Sequence, residues 1–421
     1  MTSPRADVPG GAPTRTSADA PTATTSPGRR AAAVALLVSG QSTAGLALGA
    51  VGLFLPLIRA DLGIGFTQAG GIAAAAMLTY ALMQVPAGHL ADVLGARRLF
   101  VIGTVGVNVC TLGIAVAPSY TFLVVDQAVS GALRALVFIP GMVLITGLFA
   151  PARRSTALGV FAIGGVSGNV LLSAVGPLLV GAMGWRGVLG LFGGAGLALA
   201  VVYGALRDAG EPQVRPAPGG DGVRHVLRHP VLWVGGVVQL VRFGVVNGLA
   251  FWLPTLLVEE RGATLRTAGL VMGLGGLLMA PMNYLGGVVA DRTGRPAAVV
   301  GGSLVVLGGT LLVLAGADGL AVTVACVLVA HVVMQLYFGP LFSIPVRVLG
   351  ASRAGLITGV SNGCACLGAV TFSWALGWTR DLTGSFTPGL LGMAVACGCA
   401  LVATAVLARM LRTHAAPTSP A

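Results

Sequence analysis

The stretch Gly88-His89-Leu90-Ala91-Asp92-Val93-Leu94-Gly95-Ala96-Arg97-Arg98 has a counterpart 199 residues further on, Gly287-Val288-Val289-Ala290-Asp291-Arg292-Thr293-Gly294-Arg295. Each closes one long apolar run and opens the next. Working outward, the same spacing recurs: Pro56 with Pro254, Ala69-Gly70 with Ala268-Gly269, Pro140 with Pro340, Arg154 with Arg353, Gly159 with Gly359 and Gly168 with Gly368. An offset that stays at 198 to 200 residues through so many loops marks a duplication. Six apolar runs fill 31–206, a polar stretch covers 207–229, and six more runs fill 230–412. Runs of about 20 apolar residues are the length of a membrane-crossing helix. The expected fold is therefore an all-α membrane protein with 12 transmembrane helices in two pseudo-symmetric six-helix bundles. A Pro-, Ser- and Thr-rich tail (1–30), a linker (207–229) and a short tail (413–421) complete it.

Composition agrees. Hydrophobic residues make up 55% of the 421 residues and charged residues only 9%, where soluble domains are about a quarter charged. With a mean hydropathy of +0.91, a soluble globular protein is excluded. The run after Arg29-Arg30 is also too long for a cleaved signal segment.

All 25 basic residues are arginines, and they set the net charge at +12. They are scattered singly or in pairs between apolar runs, so no nucleic-acid surface is implied. Sorted by loop, eighteen fall on one side and five on the other. That bias puts both termini in the cytoplasm of a multi-pass cell-membrane protein. The six cysteines all sit inside apolar runs. Residues i and i+2 point apart on a helix, so the two Cys-x-Cys pairs read as packing residues; no metal site and no cofactor is expected.

Two arginines remain, Arg134 and Arg242, each near the centre of an apolar run. A charge there costs about 2.5–3.5 kcal/mol on insertion scales, which makes it a functional candidate by default. No carboxylate lies at matching depth; Asp126 is about two turns from Arg134 along the helix. Gln127, Gly131, Arg134 and Phe138 share one helix face, Gln239 lies one turn before Arg242, and His331 and Gln335 pair at i, i+4. Guanidinium forks bind carboxylate or phosphate in two-pronged fashion. The expected ligand is a small anion, held by Arg134, Arg242, Gln41, Gln239, His331, Gln335, Tyr80 and Asn247. His331 and Asp126 are the candidates for a coupled proton.

The two quoted stretches resemble the motif-A loops of the major facilitator superfamily, and both stand where that family places them, after helices 2 and 8. The first copy lacks the family's usual basic residues at Val93 and Ala96. The resemblance implies a monomeric secondary transporter in the lipid bilayer, not an enzyme, with the substrate between the halves near the midplane. Gly88, Asp92, Gly95, Arg97, Gly287, Asp291, Gly294 and Arg295 would gate one end as a latch.

Leu53-Phe54-Leu55-Pro56 leading to Asp61-Leu62-Gly63, and Arg242 twelve residues before Pro254, are similar to the anion:cation symporter branch. That branch implies proton-coupled symport of a small organic anion such as a carboxylate. Its helix-4 pattern of Arg, Gly and Glu is replaced here by Gln127, Gly131 and Arg134. Gly176-Pro177-Leu178-Leu179-Val180-Gly181 partly resembles an antiporter motif and keeps multidrug or metabolite efflux by proton antiport open. A non-transporting sensor or scaffold on the same fold is the third reading.

Overall fold

The computed structural model describes residues 27–149, 153–205, 226–316, 318–349 and 354–415. The tails before 27 and after 415, and most of the 207–229 linker, lie outside the described residues. In the first half α1 (Pro27–Leu62), α2 (Phe66–Leu94), α3 (Ala96–Val116) and α4 (Tyr120–Gly147) are followed by the helical stretch Arg154–Ala205. Gly184, at φ 67° and ψ 170°, breaks that stretch into α5 (154–183) and α6 (185–205). In the second half come α7 (Pro230–Thr255), prolonged by a π-turn at Leu256–Glu260, then α8 (Leu265–Thr293) and α9 (Pro296–Gly316). The tenth span is divided, α10 (Leu320–Leu336) and α11 (Phe338–Leu349), and α12 (Ala354–Thr383) and α13 (Thr387–Ala415) complete twelve spans. Helix α1 starts four residues inside the stretch expected as tail, and α13 runs three residues into the other.

Spans in lipid gain little from apolar burial against one another, so helices associate where small residues let backbones approach. The duplication is visible in those approaches. A Cβ at Gly168 would fall on the Ser42 carbonyl, joining α5 to α1; a Cβ at Gly368 would fall on the Leu240 carbonyl, joining α12 to α7. The same holds between the halves. Gly70 of α2 packs on the Ser373 carbonyl of α12, and Gly269 of α8 packs on the Ser173 carbonyl of α5. Each pair is the other moved by one repeat, the reciprocal contact that a two-fold axis produces.

Helix α1 runs from the N-terminus to Leu62 and α2 returns to Leu94, so the Gly88–Arg98 loop and the Arg59–Phe66 turn lie at opposite ends. The Arg59 end is locked across the halves. Arg59 Nη1 lies 2.7 and 2.8 Å from the two carboxylate oxygens of Glu259. These residues are 200 apart and join the end of α1 to the π-turn after α7. Asp381 of α12 caps α2, accepting from the Phe66 amide at 3.1 Å, the Thr67 amide at 2.6 Å and the Thr67 hydroxyl at 2.5 Å; a carboxylate at a helix start satisfies its unpaired amides. Phe66 wedges beneath Arg59, at 3.3 Å, and packs on Trp252 and Phe386, at 5.9 and 5.7 Å between centroids.

Candidate substrate site

A cavity of about 440 Å³ lies between the halves, within the range of small-molecule sites. Arg134 from α4 and Arg242 from α7 both line it, together with Gln41, Tyr80, Asn247, His331 and Gln335. A smaller chamber of about 90 Å³ adjoins it and reaches Phe251 and Ser373; its polar walls are Gln127, Arg134, Asn169, Asn247 and Ser373. Arg134 thus faces both. No Asp or Glu lines either space among the described residues.

The two arginines are held differently. Arg134 is 8% exposed, lies 5.0 Å from the Tyr80 ring centre, and meets no carboxylate among the described residues. Arg242 is 2% exposed, donates Nε to Gln239 Oε1 at 2.8 Å, and lies 5.6 Å from the Phe243 ring centre. Ring faces attract cations without neutralising them, so the Arg134 charge stays in the cavity wall. The tenth span breaks close to this wall. Pro340 has no N–H for the Leu336 carbonyl, Tyr337 leaves helical geometry at φ −99° and ψ 5°, and Gly286 of α8 lies against the freed Leu336 carbonyl.

Among the residues expected to hold the ligand is Gln239. It does not line the cavity; its carbonyl oxygen holds the Arg242 fork, so it acts on the position of Arg242. Asp126 also lies off the cavity. Its carboxylate fills the space that a Cβ at Gly113 of α3 would need, and accepts from Gln127 Nε2 at 3.1 Å. His331 is on the cavity wall, with Nδ1 at 2.8 Å from the Val327 carbonyl. Asn169, which lines both spaces, is not among the residues expected; a lone amide within an apolar run is the signal that marks it.

Among the gating residues, Gly95 and Gly294 both turn with positive φ, 88° and 63°, a conformation that glycine adopts without a Cβ penalty. Asp92 and Asp291 are exposed at that end. Arg97 lies over the Tyr203 ring of α6 in its own half, at 6.0 Å. The inter-half lock described above is at the other end and holds the Arg59 end shut in this conformation. Among the described residues no group of three or more His, Cys, Asp or Glu is placed to hold a metal ion.

A family model described as Major Facilitator Superfamily matches residues 37–373. The chain belongs to that superfamily. It is therefore a multi-pass membrane transporter and not an enzyme, and the cavity lies where this fold keeps its substrate, between two six-helix halves.

Several superfamily relatives are similar along most of the chain. A putative tartrate transporter of Agrobacterium vitis is 26% identical, over 85% of this chain and 86% of that one. A probable nitrate/nitrite transporter of Mycobacterium tuberculosis is 28% identical, over 83% and 87%. A probable actinorhodin transporter of Streptomyces coelicolor is 33% identical, over 38% of this chain and only 28% of its own length. The crystal structure of a bacterial homologue of the human lysosomal transporter Spinster, inward-facing and unoccupied, shares the fold with a TM-score of 0.81 at 15% identity, over 94% of this chain and 100% of that one.

Proposed function

We propose that the protein moves a small organic anion across the cell membrane by alternating access, with Arg134 of one half and Arg242 of the other gripping it at the midplane. The observation that carries this reading is the pair of buried guanidiniums, one per half, on a single cavity whose described walls hold no carboxylate. A cationic cargo would meet two like charges there. Gripping from both halves suits rigid-body rocking, since the same anion then belongs to both moving parts. The arginine-rich loops face the cytoplasm in this reading, which makes the Arg59–Glu259 end the outer gate. The protein works as a monomer in the bilayer. The relatives that match most of the chain include those named for tartrate and for nitrate/nitrite, both anions.

Proton coupling belongs to the same reading. Asp126 is bonded to Gln127, and Gln127 lines the chamber shared with Arg134. A proton taken up by the Asp126 carboxylate turns an acceptor into a donor and re-aims that amide. Metabolite efflux by proton antiport is the second reading, favoured by the partial match to the probable actinorhodin transporter.

Uptake of labelled carboxylates into proteoliposomes with an imposed proton gradient separates these. Losing a hydrogen bond to a charged group, 1.5–3 kcal/mol, weakens binding about 10- to 100-fold. Arg134→Ala and Arg242→Ala are each expected to lose that much, and Asp126→Asn to retain uptake that no longer follows the gradient. Uptake that both arginine variants leave untouched contradicts the proposal.

A further inference from the structure

We infer that His331 reads a hydroxyl group on the substrate, so that the preferred cargo is a hydroxylated carboxylate and not a bare oxyanion or an unsubstituted acid. The inference rests on reading this cavity as an anion site and names what else the anion must carry.

The imidazole is committed on one side. Nδ1 lies 2.8 Å from the Val327 carbonyl, and a carbonyl only accepts, so the ring's proton is at Nδ1. Nε2 is then the acceptor, and no described group donates to it. His331 lines the cavity, which leaves the substrate to satisfy that lone pair.

The ring is there by a local exchange that the repeat does not require. In the first half the equivalent position is Gly131, whose Cα packs directly on the Ala76 carbonyl of α2. In the second half the bulk is on the other helix position: His331 projects from α10, and Gly275 of α8 makes the room, since a Cβ there would come within 2.7 Å of the imidazole. A close backbone contact has been replaced by a polar ring beside a glycine. Packing alone was already solved by the first arrangement.

Neighbouring groups extend the acceptor surface. Gln335 stands one turn further along α10 on the same cavity wall. Asn247 gives one of its two Nδ2 protons to the Phe243 carbonyl at 3.0 Å, and its carbonyl oxygen adds a further acceptor at the cavity that it lines. The arginines supply donors for a carboxylate, the two amides can donate or accept, and His331 Nε2 can only accept. A nitrate ion or a plain carboxylate has no donor and would leave His331 Nε2 unpaired, and a site built to hydrogen-bond a hydroxyl rejects the analogue lacking it. The cavity, at about 440 Å³, also has room for more than a four-atom anion.

The test compares matched pairs, malate with succinate and lactate with propionate, binding to purified protein by calorimetry. Wild type is expected to bind the hydroxylated member at least tenfold more tightly. His331→Leu should bring that member down to its partner's affinity and leave the partner unchanged, while His331→Gln, which keeps an acceptor, should retain a preference. Gly275→Ala, pressing on the ring from α8, serves as a second variant if His331→Leu does not fold, and should lower the preference as well. Equal affinities within each pair in wild type, or a preference that both variants preserve, overturn the inference while anions still bind through Arg134 and Arg242. If none of the four acids binds, or binding ignores both arginine variants, the underlying anion reading falls and takes this inference with it.

Discussion

A guanidinium near the middle of a bilayer is costly, and this chain keeps two. Arg242 has its Nε fixed by Gln239, so its fork is aimed before any substrate arrives, and preorganised groups bind more strongly because less order is lost on binding. Gln239→Leu removes one bond to a charged group and is expected to weaken anion binding about tenfold in a calorimetric titration, although Gln239 does not border the cavity. Arg134 rests on Tyr80. A cation–π contact is worth about 0.5–2 kcal/mol, so Tyr80→Leu should weaken binding less than Arg134→Ala does, while Tyr80→Phe, which keeps a ring face, stays near wild type. Much of this was legible in the sequence, because a charge inside an apolar run is too costly to keep without a polar task. The division of labour was not. Gln239 and Arg242 sit three residues apart and read as two ligands; only their geometry shows that one holds the other.

At the scale of elements, the repeat in the sequence shows where helices touch, but identity at a repeated position does not by itself mean contact. Gly168 and Gly368 each lie on a neighbouring backbone carbonyl, whereas Gly159, equally matched by Gly359, has open space around it. Overpacking costs about 1–3 kcal/mol. Gly168→Ala and Gly368→Ala are therefore expected to lower the melting temperature in detergent by comparable amounts, and Gly159→Ala to leave it unchanged. The tenth span shows where pattern reading stops. Its apolar run is unbroken from 320 to 346 and predicts one continuous helix, yet the chain bends at Tyr337. Pro140 in the first half sits in a helix that stays whole, preceded by Ile139; Pro340 is preceded by Gly339, which weakens the helix where a hydrogen bond is already missing. The merged α5–α6 stretch is the converse, two runs joined across Gly184 with no intervening loop.

For the whole molecule, the duplication accounts for the twelve spans and the pairing of the halves, but the ion lock is where the two-fold symmetry ends. The helix-end bond from Ile64 to the Arg59 carbonyl is matched in the second half by Ala263 to Leu257, so the repeat counterpart of Arg59 is an apolar residue and the Arg59–Glu259 pair has no symmetric copy. Asp381 caps α2, whereas the equivalent start of α8 is capped locally by Thr264. Glu259→Arg is expected to cut transport at least tenfold by setting two like charges against each other, and adding Arg59→Glu should restore most of it; failure of the double variant would remove the pair from the gating scheme. All of this presumes a cargo that both halves hold. The direct measurement is a thermal-shift panel on purified protein, with carboxylates, hydroxycarboxylates, nitrate and cationic dyes, in wild type, Arg134→Ala and Arg242→Ala. A ligand that binds the folded state raises its apparent stability by mass action. An organic acid that stabilises wild type and neither variant is the predicted result. Stabilisation by cationic dyes alone, kept in both variants, would contradict the two-arginine site.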